Sequence, residues 1–373
     1  MYGVRSAEQQ ELAATVRKLL QERSSEFAVR ATMDAAEGYD RELATVMAEQ
    51  MGLHGIAIPE EYGGAGFGFL ELSVVLEEMG RVLLSGPFFS SVVLFATALL
   101  ESGDDDACRT WLPQIAAGRL IGTAAFAEDA EGWDEQSIRL AARREGEHYL
   151  LSGRKRHVLD GASAEAIVVA ARLPEAVGLF LVDTDLGLRR TAVPTLDRTR
   201  RQATLDFTDT PARLLAGPEQ GRVVLRRVLD RAAVALACEQ VGGAERVLEM
   251  AVGYAKTRHQ FDRPIGSFQA IKHTCADMLV AVESARSAAR CAAEAVAAND
   301  PDLELLAGLA KTVCSETFSL CARDNIQIHG GIGFTWEHPA HLYYKRAKSS
   351  EAHFGTPRYH RERLALRTEA LPT

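Results

Sequence analysis

Tyr254-Ala255-Lys256-Thr257-Arg258-His259-Gln260-Phe261-Asp262-Arg263-Pro264-Ile265-Gly266-Ser267-Phe268-Gln269-Ala270-Ile271 interrupts a long helical pattern with a polar turn. Upstream, Val223, Leu225, Val228 and Leu229 begin an apolar face that continues to Tyr254. Downstream, a second pattern runs from Ile271 to Ala298 and stops at Asn299-Asp300-Pro301. A third runs from Leu303 to His329 and stops at Gly330-Gly331. The turn itself carries Arg258, Gln260 and Arg263. Arginine forks match phosphate or pyrophosphate oxygens, although exposed arginines in a turn are often only solvated. Gly330-Gly331-Ile332-Gly333 reads as a helix C-cap, where glycine supplies positive φ. It also reads as a place where backbone N–H groups approach a phosphate closely.

Working outward, the texture changes twice. Residues 1–120 are helical, with Leu12, Val16, Leu19 and Leu20 on one face and Leu72, Val75, Leu76 and Met79 on another. Residues 121–215 carry short apolar runs, Tyr149–Gly153, Ala166–Ala170 and Gly178–Val182, bounded by charges, Pro and Gly. Residues 216–373 are helical again. Helices, then strands, then helices predict an α+β protein: an N-terminal helical domain, a central β-barrel or sandwich domain and a C-terminal helical domain.

Composition excludes several function classes. The chain has 373 residues, enough for two or three domains. A net charge of −9 argues against a nucleic-acid or anionic-membrane surface. Six cysteines without a Cys-x-x-Cys pair predict reduced thiols of a cytoplasmic protein, not a disulfide framework or zinc site. The apolar stretch Pro87–Leu100 is too short to span a bilayer, so no membrane span is expected. The ten histidines show no metal-ligand spacing, and His338-x-x-His341 has no acidic support. No serine sits in a nucleophile elbow. Gly63-Gly64-Ala65-Gly66-Phe67-Gly68 lacks the spacing and βαβ context of a dinucleotide fingerprint.

Taken together, three stretches resemble the acyl-CoA dehydrogenase family. Gly55-Ile56-Ala57-Ile58-Pro59-Glu60-Glu61-Tyr62-Gly63-Gly64-Ala65-Gly66 is similar to its N-domain signature. The opening stretch, with Ala276-Asp277-Met278 after it, resembles its most specific C-domain motif. Gln327-Ile328-His329-Gly330-Gly331-Ile332-Gly333-Phe334 resembles its adenine-diphosphate-binding turn. The resemblance implies a C-terminal four-helix bundle, tetrameric assembly and FAD. It implies desaturation of an acyl-CoA thioester, in which a glutamate takes the α-proton while the β-hydrogen leaves as hydride to the flavin. Arg258, Gln260, Phe261, Gln327, Gly330 and Gly331 become the cofactor-binding candidates.

The same resemblance exposes what the chain lacks. The usual base precedes a Gly-Thr pair; here Phe354 precedes Gly355-Thr356. The alternative base position, counted back from Tyr254, is Ala232, followed by Ala233. Glu351 lies one helical turn from 354, and Asp230 projects to another side of its helix than 232. No catalytic residue is therefore assigned. The flavin-ring stretches have drifted too. Glu128-Asp129-Ala130-Glu131-Gly132-Trp133-Asp134 replaces a threonine-glutamate-proline run, with Asp129 read at the threonine position. Lys155-Arg156-His157-Val158-Leu159 replaces a Lys-x-Trp-Ile-Thr/Ser run. The elements that reach a neighbour's flavin across the family's dimer are intact.

This pattern resembles the non-catalytic subunit of α2β2 acyl-CoA dehydrogenases of actinobacterial steroid degradation. It implies FAD shared across the subunit interface, a paralogous catalytic subunit and a bulky or steroid side-chain acyl-CoA. An electron-transfer flavoprotein is the acceptor the family implies. The alternatives are a self-sufficient homotetramer with monooxygenase-type chemistry, and a flavin-free scaffold or regulatory paralogue.

Overall fold

The structure is a computed structural model that describes residues 5–129 and 132–369. Ala130 and Glu131, in the first flavin-ring stretch, lie outside the described residues. The N-terminal helices are α1 (Ala7–Arg23), α2 (Glu26–Asp34), α3 (Arg41–Thr45), α4 (Phe69–Arg81), α5 (Ala96–Ser102) and α6 (Asp105–Ala116). Seven strands follow: β1 (Gly122–Ala125), β2 (Ala141–Glu145), β3 (His148–Leu159), β4 (Ala166–Arg172), β5 (Val177–Val182), β6 (Leu188–Val193) and β7 (Gln202–Ala216). Then come α7 (Gly221–Thr257), the two-residue strands β8 (His259–Gln260) and β9 (Arg263–Pro264), α8 (Gln269–Ala298), α9 (Leu303–His329), α10 (Ala340–Ala352) and α11 (Pro357–Glu369). The protein thus has helical N- and C-terminal parts around a central mixed sheet.

The chain forms two compact units that do not follow sequence order. One comprises Thr32–Gly68 and Ser85–Ala232; the other Met1–Ala31, Phe69–Leu84 and Ala233–Thr373.

In the first unit the sheet closes on itself. The path β4-β2-β3-β7-β5 returns to β4 through the β4–β5 pairing, while β1 adds to β4 and β6 to β7. The central strands therefore make a barrel rather than a sandwich. Its core includes Leu140, Leu151, Val158, Ile167, Val169, Phe180, Val182, Leu205 and Phe207. The strands β4 and β5 are buried almost throughout, which is why Ala166–Ala170 and Gly178–Val182 read as unbroken apolar runs.

In the second unit α8, α10 and α11 pack on α9. The helices α4 and α7 cross in backbone contact. A Cβ on Gly80 would sit 1.9 Å from the Glu239 carbonyl oxygen, and one on Gly242 would sit 1.8 Å from that of Glu77. Ion pairs surround this crossing: buried Arg346 with buried Glu239 at 2.8 Å, and buried Arg81 with the exposed Glu249 at 2.7 Å. The segment Leu303–Phe334 is long and apolar enough to cross a bilayer, but 61% of its most apolar window is buried. It is the core helix of its unit.

Candidate functional site

The cofactor candidates on α7 and α9 meet at one end of the helical unit. Arg258 directly follows α7, its N–H donating to the Tyr254 carbonyl at 2.8 Å. The strands β8 and β9 form a hairpin whose two turn residues, Phe261 and Asp262, have φ of 55° and 58°. A bulky residue rarely takes this conformation. Phe261 is nevertheless 85% exposed, its ring T-shaped to that of Phe268 with centroids 6.0 Å apart, and the Phe268 ring also carries the Arg263 guanidinium at 4.1 Å. Arg258 and Gln260 are exposed. At the end of α9, Gln327 is exposed and Gly330 turns the chain with φ 65°. A Cβ on Gly330 or Gly331 would meet nothing within 4 Å. Packing within this chain therefore does not require glycine at 331, and its backbone is open to approach from outside.

A ring stack ties the two motifs together. Tyr254 lies on His329 at 4.3 Å, and His338 covers His329 at 4.3 Å. The His329 Nδ1–H donates to the Asn325 carbonyl at 2.8 Å. Sequence reading treated the histidines as surface or packing residues. The structure uses His329 to hold the Arg258 turn and the Gly330 turn side by side. Among the described residues no group of histidine, cysteine and carboxylate side chains could hold a metal ion.

The position of the usual base is buried. Phe354 is 5% exposed with φ 57°, followed by Gly355 at 101°. Two buried donors fix this strained turn. The His360 Nε2–H donates to the Phe354 carbonyl at 2.9 Å. Lys311 Nζ donates to the Gly355 carbonyl at 3.1 Å, the Glu351 carbonyl at 3.3 Å and Ser315 Oγ at 2.9 Å. Burial pushes the Lys311 ammonium down to about 7 and His360 down to about 3. Sequence reading missed both. The one signal for Lys311 was a lysine in an otherwise apolar helix segment.

The carboxylate nearest in sequence is Glu351. Burial alone would raise the Glu351 pKa. Donors from Lys348 Nζ and Ser319 Oγ, each at 2.8 Å, outweigh it and hold the carboxyl below its ordinary range. A carboxylate so held is a poor proton acceptor. In the other unit Ala232 is fully buried in α7 and Asp230 is 4% exposed; Ala233, where the helical unit resumes, is 1% exposed.

The flavin-ring stretches are joined by a buried ion pair. Glu128 Oε1 accepts from Lys155 Nζ at 2.6 Å and the Leu140 N–H at 3.0 Å, and its Oε2 accepts from the Arg139 N–H at 2.9 Å. Burial lowers the Lys155 pKa to about 8 against the pull of Glu128. Glu128 is thus the buried carboxylate of the first stretch. Asp129 is exposed and ion-paired with Arg156. His157 takes the tryptophan position with φ 53°, bonded to Gln202, and the Leu159 side chain is 3% exposed. Neither Asp129 nor Leu159 offers a hydroxyl.

Family models match both ends of the chain: acyl-CoA dehydrogenase, C-terminal domain, at residues 219–368, and acyl-CoA dehydrogenase, N-terminal domain, at residues 6–119. The chain belongs to the acyl-CoA dehydrogenase family. The family is FAD-dependent. The acyl-CoA dehydrogenase IpdE2 of Mycobacterium tuberculosis is 35% identical over 351 residues, covering 94% of each chain. Among solved structures, the ChsE4–ChsE5 complex from Mycobacterium tuberculosis is 30% identical with a TM-score of 0.92, covering 100% of both chains. The Tcur3481–Tcur3483 steroid acyl-CoA dehydrogenase is 32% identical with a TM-score of 0.89, covering 97% of this chain and 98% of that one.

Proposed function

We propose that the chain is the non-catalytic subunit of a heteromeric, FAD-dependent acyl-CoA dehydrogenase, and that it completes the FAD site of a paralogous catalytic partner. One contrast carries the reading. Both base positions are occupied by side chains that accept no proton, Phe354 and Ala232. The diphosphate-side residues, in contrast, stand exposed and ordered at one end of the helical unit.

Arg258 pairs with the diphosphate through charge-assisted hydrogen bonds. Gly330 and Gly331 admit the backbone to close approach, and Gln327 hydrogen-bonds the adenosine part. Phe261, held outward on its strained turn, packs against the partner-bound cofactor. Bound FAD supplies the hydride acceptor, and the partner supplies the base. The solved relatives named as two-component assemblies, ChsE4–ChsE5 and Tcur3481–Tcur3483, support a paralogous partner. The second of these, named a steroid enzyme, supports a bulky acyl group. The family supports an electron-transfer flavoprotein as acceptor.

Native mass and flavin content test this reading, on the chain alone and co-expressed with its partner. The expected result is a flavin-poor chain that becomes a yellow α2β2 tetramer with dehydrogenase activity, and that loses flavin on Arg258→Ala. A fully yellow homotetramer, or unchanged flavin in Arg258→Ala, overturns it.

A further inference from the structure

Two arginines converge on one carboxylate at the start of α7. Arg222 and Arg226 stand four residues apart on its exposed face. Arg222 Nη1 lies 3.6 Å from Glu135 Oε1, and Arg226 Nη2 lies 3.8 Å from Glu135 Oε2. Both distances are too long for hydrogen bonds. Among the described residues, neither guanidinium donates one. Just beyond, Arg227 and Arg231 share Glu101 at 3.5 and 2.8 Å. Four guanidiniums thus face two carboxylates, on a chain whose net charge is −9. Like charges four apart oppose helix formation, so stability does not account for this spacing.

Glu135 is held in place from below. The Asp134 carboxylate accepts the N–H groups of Gln136 and Ser137 at 3.0 and 3.1 Å. Arg172 donates to the Ile138 carbonyl at 3.2 Å and to the Glu135 carbonyl, and Arg139 donates to the Gln136 carbonyl at 2.5 Å. The turn is thereby pinned with the Glu135 carboxylate inside a double arginine fork.

We propose that Arg222 and Arg226 bind a phosphate or diphosphate group, with Glu135 as the resident carboxylate that this group displaces. Each guanidinium offers five donors in a planar fork that matches phosphate oxygens. A doubly charged phosphate satisfies both forks, where a single carboxylate satisfies neither. The Glu135 side chain is 24% exposed and has water to turn into. Two ligands of the family's reaction carry this chemistry: the diphosphate and 3′-phosphate of an acyl-CoA, and the diphosphate of FAD. The site is read from this chain's own residues and stands apart from the subunit assignment.

Calorimetric titration of the full chain with inorganic pyrophosphate, at two salt concentrations, tests the proposal. Arg222→Ala/Arg226→Ala is expected to weaken binding at least tenfold. Glu135→Gln is expected to tighten it several-fold, because the competing charge is gone. Affinity unchanged in the arginine double variant, or not increased in Glu135→Gln, overturns the proposal and leaves the arginines as solvated partners of Glu135. Competition against pyrophosphate then identifies the source. Displacement by CoA alone assigns the site to the acyl carrier, by FAD alone to the cofactor, and by both to the shared diphosphate. Displacement by neither overturns a role in this reaction. Arg41→Ala, at an exposed pair with Glu37, is expected to leave pyrophosphate binding unchanged, and flavin content in Arg258→Ala tests the subunit reading separately.

Discussion

Replacing Lys311 with methionine is expected to change how stability depends on pH. The ammonium is fully buried, and burial lowers its pKa from the ordinary 10.5 to about 7. Between those values the unfolded chain binds a proton that the folded chain does not, so this group makes stability rise with pH. Below pH 7 the amine is protonated in both states, and its full penalty of about 5 kcal/mol applies at ~1.4 kcal/mol per pKa unit. At pH 9 about two units of that shift have been recovered, or about 3 kcal/mol. Methionine fills similar space and does not titrate. It leaves the Glu351 and Gly355 carbonyls without their donor, at roughly 1–3 kcal/mol each. Near pH 7 the two effects offset, and the variant should lie close to the wild type. At pH 9 the wild type should be more stable by about 3 kcal/mol. Urea midpoints at pH 7, 8 and 9, at fixed protein concentration, read the difference. Lys155, whose pKa burial lowers to about 8, titrates in both proteins and cancels. Parallel midpoints for wild type and variant across this range would refute a charged-to-neutral transition at Lys311.

Four further outcomes are expected. Gly80→Ala should destabilise the fold by about 2–4 kcal/mol in urea unfolding, since its Cβ would fall 1.9 Å from the Glu239 carbonyl oxygen and backbone must move; a neutral result would refute the close crossing of α4 and α7. Arg346→Met should cost about 3–5 kcal/mol, because it removes the buried guanidinium that pairs with the buried Glu239 carboxylate. Arg41→Met, at an exposed pair with Glu37, should change stability by less than about 1 kcal/mol in the same assay. Gly331→Ala should leave the melting temperature unchanged, because its Cβ meets nothing within 4 Å, yet lower the flavin retained by the assembled complex; full flavin retention would refute close approach at this glycine.

Legibility in the sequence followed the range of the interaction. The stops of α8 at Asn299 and α9 at Gly330 were readable because both residues take positive φ locally. The buried strands β4 and β5 were readable because two buried faces leave an unbroken apolar run. The choice between barrel and sandwich was not, since it depends on which strands meet around the β4–β5 closure. The apolar face Leu72-Val75-Leu76-Met79 was plain, but not its partner. That partner is chosen by Gly80 and Gly242, two glycines far apart in sequence that must occur together. Lys311 was legible only as an oddity, because its carbonyl acceptors lie 40 and 44 residues further on.

The base positions show the same rule from the opposite side. Counting from Gly355-Thr356 and from Tyr254 located Phe354 and Ala232 without structural help, because motif spacing fixes them. The structure adds that the turn around Phe354 is still built with care. Lys311 and His360 hold its carbonyls, and the strained φ persists although no carboxylate needs presenting. A turn held by buried donors survives the loss of its side chain's chemistry, since removing either donor would leave a buried carbonyl unpaired. Side chains along the two stretches can vary without such a penalty where Glu128 and Lys155 already secure the backbone. Selection on stability alone would thus preserve the scaffold of a catalytic site and release its reactive groups. It would not preserve Arg258, Gln260 and Phe261, exposed and, in Phe261, strained. On the proposed function, a ligand outside this chain accounts for them.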